Sequence, residues 1–276
     1  MRARSLNVTT LLAVALLASH GCARTNAPTP VRVDGSPGVR PLIAALAASF
    51  TQTTGVPVAI ESGLGSSRRA AAVADSLIDI AMASHGIDTA DIARRGLEVH
   101  EIARTAVVFA VHEDVPLAGV TSAQVCEIVS GSAVRWSRYN AGALPIVPLL
   151  RPPAEVDAEV ARAHVPCLRD IAPAAGVRII ERPDSMAATL ARTRGAFGVT
   201  SLVLVEGSEG RIRALHLDGV APTADNVRSA KYPLVRSSYL ITRRSARPEV
   251  ARFLEFIRDS AGARLIAANG AVAVVP

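Results

Sequence analysis

The 276 residues are enough to bury a substantial core, as one large domain or two modest ones. Half are hydrophobic but only 3% are aromatic, which suits helices packed on parallel strands and argues against stacking on nucleic-acid bases. The formal charge of +6 drops by two without Arg2 and Arg4, and the arginines are scattered rather than gathered in a run, so the balance excludes a nucleic-acid partner and leaves a mild attraction for small anions.

Arg2 and Arg4 precede an apolar stretch, residues 8–18, which is shorter than the about 20 residues that span a bilayer. Residues 1–21 therefore read as a signal peptide and stay out of the fold. The segment ends in Ser19-His20-Gly21-Cys22, which resembles the bacterial lipobox, with Ser19 where that motif usually carries Leu. The likeness implies cleavage before Cys22 and lipidation of its sulfur; ordinary signal cleavage is the alternative. Residues 22–30, rich in Pro and Thr and without periodicity, read as a lipidated tether that holds a membrane-anchored lipoprotein in the periplasm or cell envelope.

The first folded elements repeat one order: strand, small-residue loop, helix. Val31 and Val33 alternate as in a strand, Asp34-Gly35-Ser36-Pro37-Gly38 forms the loop, and Pro41 sits in the first turn of a helix whose stripe is Leu42, Ala45, Leu46, Ser49 and Phe50. Val56, Val58 and Ile60 alternate again, followed by Gly63, Gly65, Ser66 and Ser67. A helix expected from about Ser66 then carries Ala70, Val73, Ala74 and Leu77 on one face. Repeated units of this kind predict a parallel sheet with both loops at the carboxyl ends of its strands, where ligands sit. The unpaired N–H groups and positive dipole end of such a helix, with the Ser66 and Ser67 hydroxyls, suit a phosphate-like anion; a plain turn and N-cap is the blander reading.

Thr105 to Val111 is a continuous apolar run, as expected for a strand buried on both faces. His112, Glu113, Asp114, Val115 and Pro116 read as a solvated polar turn, and Thr121 with Gln124 as a capping box for a helix through Val129, stopped by Ser130-Gly131. Residues 145–150 predict a strand, Asp184-Ser185 the cap of a helix carrying Met186 and Leu190, and residues 196–199 a returning strand. Val250, Phe253, Leu254 and Ile257 form a helical stripe, Leu265 and Ile266 anchor a second short helix, and the chain closes on Ala271-Val272-Ala273-Val274-Val275. Cys126 and Cys167 lack zinc-site spacing; after export they are either a disulfide or two buried free thiols. No nucleophile elbow, zinc-ligand cluster or paired-carboxylate motif marks an enzyme.

Over nearly the whole mature length the chain resembles the phosphate-type substrate-binding proteins of ABC transporters. The most specific stretch is Asp218-Gly219-Val220-Ala221-Pro222-Thr223-Ala224-Asp225-Asn226-Val227, followed by Lys231-Tyr232-Pro233-Leu234-Val235-Arg236 and Tyr239-Leu240. The Asp34 loop, Gly65-Ser66-Ser67, Asp79 to Ser84, Val125 to Trp136, Gly195 to Val199 and the helix pair ending in Asn269-Gly270 are similar too. The resemblance implies an α/β, two-lobe periplasmic-binding-protein-like fold of type II with the ligand cleft between lobes. Lobe one would be residues 31–106 plus 236–276 and lobe two residues 107–235. It implies a monomer without cofactor or metal that captures inorganic phosphate or another small oxyanion for an ABC transporter permease, attached to the membrane through the lipid anchor.

Carried across residue by residue, the family's lobe-one ligands fall on Ser36, Gly65, Ser66, Ser67 and Ser84, with His85 where the family usually has Asp or Arg. Lobe two departs. The family sets an Arg before a Ser-Gly-Ser-Gly-Thr loop, and this chain has Arg151-Pro152-Pro153-Ala154-Glu155-Val156-Asp157. The arginine is kept, two backbone donors are lost to proline, and two carboxylates replace hydroxyls. Each lost charge-assisted bond is worth about 1.5–3 kcal/mol, so phosphate would bind orders of magnitude more weakly unless other groups compensate. Arg151 either contacts the ligand or pairs with Glu155 or Asp157. The alternative function is a degenerate member of the fold that acts as a sensory or interaction lipoprotein or binds a different ligand.

Overall fold

The computed structural model describes residues 28–64, 68–84, 87–170 and 172–274. The chain begins with β1 (Val31–Gly35), α1 (Arg40–Thr54), β2 (Val58–Ile60), α2 (Arg69–Ala74), β3 (Ile80–Ala83), α3 (Thr89–Arg94) and the long β4 (Leu97–His112). There follow β5 (Gly119–Val120), α4 (Ser122–Val129), a short 3-10 turn (Trp136–Tyr139), β6 (Val147–Leu150), α5 (Val156–His164), α6 (Cys167–Asp170), β7 (Arg178–Ile179) and α7 (Pro183–Arg192). The remainder is β8 (Ala196–Ser201), α8 (Leu202–Glu206), β9 (Ile212–Ala214), β10 (His216–Leu217), α9 (Ala224–Arg228), β11 (Val235–Arg243), α10 (Pro248–Arg258), α11 (Ser260–Ala268) and β12 (Ala271–Ala273).

β1 lies between β2 and β3, parallel to both, as the repeated strand-loop-helix order requires. β11 runs antiparallel between β3 and β4, and the sheet continues from β4 through β8 and β6 to β7. Residues 97–106 of β4 face β11, while Val107 to Val111 face β8. One strand thus serves both ends of the sheet, and Ala106 to Val111 are fully or almost fully buried because helices cover both of its faces. The core divides accordingly. Two apolar clusters flank the first sheet end, one under α1, α10 and α11 and one under α2 and α3; a third, holding Phe109, Trp136, Phe197 and Tyr232, fills the other end. These are the two lobes of an α/β fold.

Several local features follow their sequence signals. The Thr121–Gln124 capping box opens α4, whose last helical residue is Val129. Val250, Phe253, Leu254 and Ile257 are the buried face of α10. Other expectations are corrected. α1 buries Ile43 and Ala47, with Ala45 and Ser49 half-buried beside them. α2 is only six residues long: it buries Arg69, Ala72 and Val73, and Leu77 lies beyond it, 58% exposed. α7 begins at Pro183, whose fixed φ suits a first turn, and Asp184 sits inside that turn, accepting the Ser185 N–H at 2.8 Å. His112 ends β4 buried, not solvated, and its Nδ1 accepts the Asp114 N–H at 3.1 Å.

Asp79 ties the first lobe together. It accepts the Arg32 N–H at 2.9 Å and the Arg247 guanidinium at 2.7 Å, with Arg243 at 3.4 Å, so one carboxylate joins the start of β3 to β1, β11 and α10. Burial pushes its pKa up, but the Arg247 hydrogen bond, the Arg32 amide and the two positive charges outweigh burial and hold it below its ordinary 3.8. In the second lobe a disulfide joins Cys126 of α4 to Cys167 of α6, with Cα atoms 6.0 Å apart.

Two outcomes follow. Closing a loop with a sequence separation of 41 restricts the unfolded chain, so Cys126→Ser/Cys167→Ser should lose about 3–4 kcal/mol in urea unfolding; an unchanged midpoint would refute that contribution. The depressed Asp79 pKa means that its stabilisation is present above the ordinary value of 3.8 and is lost as pH falls through the lower folded value. Asp79→Asn should therefore melt lower at neutral pH and show a flatter stability profile below about pH 4.

Candidate functional site

The loop after β1 is shaped by backbone demands before any side chain enters. Gly35 has φ +130°, and a Cβ there would stand 2.3 Å from the Met82 carbonyl oxygen, so only glycine lets β1 and β3 approach. Its N–H donates to the buried Asp34 Oδ1 at 2.6 Å, and the next N–H, of Ser36, donates to the Met82 carbonyl at 3.0 Å. Ser36 is thereby aimed at the residue after β3: its Oγ lies 3.2 Å from Ser84 Oγ. The two expected lobe-one serines are brought together at the carboxyl ends of adjacent parallel strands. Gly65, Ser66, Ser67 and His85, together with Cys22, lie outside the described residues.

Facing these serines are the N-termini of two helices from the second lobe. Ser36, Pro37, Gly38 and Ser84 share a cavity of about 90 Å³ with Glu155, Val156 and Asp157 at the start of α5, Glu181, Arg182 and Pro183 at the start of α7, and Arg236 of β11. Helix N-termini offer unpaired N–H groups and partial positive charge, which is the physical basis of anion binding at such ends. Gly38 admits close approach: a Cβ there would lie 3.2 Å from Arg236 Nη2 and 3.7 Å from Pro183 Cβ.

Of the two readings of Arg151, ligand contact or pairing with Glu155 or Asp157, the structure shows pairing with Glu155. Arg151 does not line the cavity. Its side chain is 1% exposed, Nη2 donates to Glu155 Oε2 at 2.7 Å and Nη1 to the Ile180 carbonyl at 2.5 Å, and it lines a separate, largely apolar cavity with Phe109, Leu149, Phe197 and Ile179. The deeply buried arginine of the cavity is Arg236, for which the sequence reading assigned no role. Arg236 Nε lies 2.8 Å from Asp157 Oδ1, both side chains being 2% exposed, and its Nη2 donates to the Gly38 carbonyl at 3.3 Å. The Nε–Oδ1 distance is that of an ion pair, yet the atoms are not aligned for a hydrogen bond. Both, together with Arg236 Nη1, are buried without a hydrogen-bond partner among the described residues.

The signal that marks Arg236 was available. It is the one arginine at the head of an otherwise Ser, Tyr and aliphatic stretch, Val235 to Ile241, and it closes the Lys231-Tyr232-Pro233-Leu234-Val235-Arg236 string. Arg69, which begins α2, is also buried, and burial lowers its pKa. Among the described residues no group of three or more His, Cys, Asp or Glu is placed to hold a metal.

Comparison with known proteins gives the family and the fold. A family model described as a PBP superfamily domain matches residues 22–260. The phosphate-binding protein PstS of Bacillus subtilis strain 168 is 23% identical over 236 residues, 82% of this chain and 74% of that one. A solved structure described as a phosphate ABC transporter substrate-binding protein with bound phosphate, from Clostridium perfringens, superposes with TM-score 0.70 at 22% identity, covering 89% of this chain and 100% of its own. The periplasmic molybdate-binding protein of Azotobacter vinelandii gives TM-score 0.63 at 14% identity over 89% of this chain and 99% of its own. At these identities the solved structures establish the fold.

The Gly35 geometry supplies a direct check. Gly35→Ala should cost about 2 kcal/mol or more, since the substituted residue meets both an unfavourable backbone region and the Met82 carbonyl. Gly63→Ala, where φ is +157° but a Cβ would meet open space, should cost less because it is spared the carbonyl clash; equal melting temperatures for the two variants would contradict the account of the loop.

Proposed function

Since the chain belongs to the PBP superfamily, we propose that it is the extracytoplasmic substrate-binding component of an ABC importer and captures phosphate or a related oxyanion in its cleft. In this reading residues 31–106 with 236–276 form one jaw and residues 107–235 the other, the leader is removed before Cys22, and lipid on Cys22 holds the protein at the membrane. The observation that carries it is the convergence of Ser36, Ser84 and Arg236 with the N-termini of α5 and α7 on one small cavity. The likeness to the B. subtilis phosphate-binding protein over most of both chains supports the choice of anion.

The mechanism follows from those parts. An oxyanion leaving water needs replacement donors: hydroxyls of Ser36 and Ser84, N–H groups of the loops and helix ends, and a guanidinium. By the family resemblance Gly65, Ser66, Ser67 and His85 are further ligands, and Arg151 would contribute its charge from behind Glu155. The lobes close because the ligand makes contacts to both, which an open cleft cannot offer at once.

A second reading rests on a specific observation. Glu155 already matches Arg151, and Asp157 already matches Arg236, which favours a member of the fold that binds a different ligand or acts as a sensory or interaction lipoprotein. Isothermal titration of phosphate and of sulfate into the stripped mature protein separates the two. The transporter reading expects phosphate binding in the micromolar range or tighter, and loss of that binding in Ser67→Asp, which sets a carboxylate against the anion. No heat with either anion from folded protein would remove phosphate and give the second reading precedence.

A further inference from the structure

The cleft of this structure already contains a carboxylate where the cleft would hold an anion. We propose that Asp157 is a tethered counter-ion: it holds the two lobes shut through Arg236 in the absence of solute, and a free anion gains Arg236 only as Asp157 is displaced. The affinity part of this inference rests on the oxyanion reading above; the closure part does not.

Three observations lead there. First, the pair joins parts that must separate if the cleft opens. Asp157 belongs to α5 of the second lobe, while Arg236 stands at the head of β11 and also donates to the Gly38 carbonyl of the first lobe. Second, the pair is dry but incomplete. Both side chains are 2% exposed, yet Arg236 Nε and Nη1 and Asp157 Oδ1 lack hydrogen-bond partners among the described residues. A charge pair in this condition is retained by proximity alone, and losing one member leaves the other buried and uncompensated. Opening the cleft to water is the available relief. Third, the cavity beside the pair has room and the wrong sign. At about 90 Å³ it exceeds the space of a single water, and it is lined by Glu155, Asp157 and Glu181 against Arg182 and Arg236. With one more carboxylate than guanidinium, an anion entering while Asp157 stays on Arg236 is repelled; neutralising Asp157 balances the wall.

The test uses the mature protein with spin labels at Ala48→Cys in α1 and Glu159→Cys in α5, both exposed positions on opposite lobes. Without added anion, the parent should give one short label-to-label distance, and Asp157→Asn should give a longer one. Phosphate should shorten the distance in Asp157→Asn and bind it at least tenfold more tightly than the parent, a gain that Arg236→Gln in the same background should abolish. Identical distances in parent and Asp157→Asn without anion would overturn the inference, whatever either protein binds. A longer distance in Asp157→Asn with no response of either protein to phosphate or sulfate would keep the clasp and discard the oxyanion reading. Should circular dichroism show Asp157→Asn unfolded, the Asp157→Asn/Arg236→Gln variant, which strands no charge, carries the same distance measurement and should also lengthen.

Discussion

Everything in this fold hangs on the continuity of β4. Its sixteen residues change partner from β11 to β8 between Ala106 and Val107, so a single extended backbone belongs to both halves of the sheet. A strand cannot bend sharply without giving up ladder hydrogen bonds, and the change of partner is secured from the side. The Val107 N–H donates to the Leu234 carbonyl at 2.8 Å, and the Tyr232 hydroxyl donates to the Val107 carbonyl at 3.0 Å. The Tyr232-Pro233-Leu234 segment is therefore the brace of the crossing. Burial of Tyr232, which pushes its phenol pKa far up, keeps that brace neutral and donating. With the crossing fixed, the carboxyl ends of β1 and β3 are set opposite the starts of α5 and α7, and the cleft follows.

Buried charge is handled in two contrasting ways. Asp79 receives an amide and two guanidinium groups, so its carboxylate is well supplied and acts as a joint. Asp157 and Arg236 are more deeply buried and less well supplied. Native interiors satisfy nearly all of their polar atoms, so an exception at the meeting of two lobes is where one looks for something the molecule does rather than something that holds it up. Arg151 lies between these cases, spent on Glu155 and a carbonyl, with Nε left over.

Much of this was legible in the residues because the deciding forces are local. The apolar run from Thr105 to Val111, the Thr121–Gln124 box and the stripe of α10 each carry their structure within one or two turns. The fold class was legible from the repeated strand-loop-helix order and the Asp218 to Tyr239 string. Local periodicity failed on α2, where the spacing of Ala70, Val73, Ala74 and Leu77 outlasted a helix of six residues and the buried face included Arg69 instead. It also failed at His112, since a polar string gives no sign that the next loop will cover it. The Asp157–Arg236 pair was beyond reach for a different reason: its members are distant in sequence, on a helix and a strand, and only the crossing strands bring them together. No single stretch of sequence encodes the meeting.

The lone tryptophan gives the molecule an asymmetry of another kind. Trp136 is fully buried in the second-lobe cluster, its indole N–H donating to the Gly195 carbonyl at 2.9 Å and its ring 6.2 Å from Phe197. No tryptophan lies on the other side of the crossing. Intrinsic indole emission is thus an optical witness to one lobe alone, whereas far-ultraviolet dichroism sums the helices of both. If the shared strand makes the two halves melt as one, the two signals coincide; if each half holds its own, they part, and the gap between the curves measures how far β4 couples the lobes.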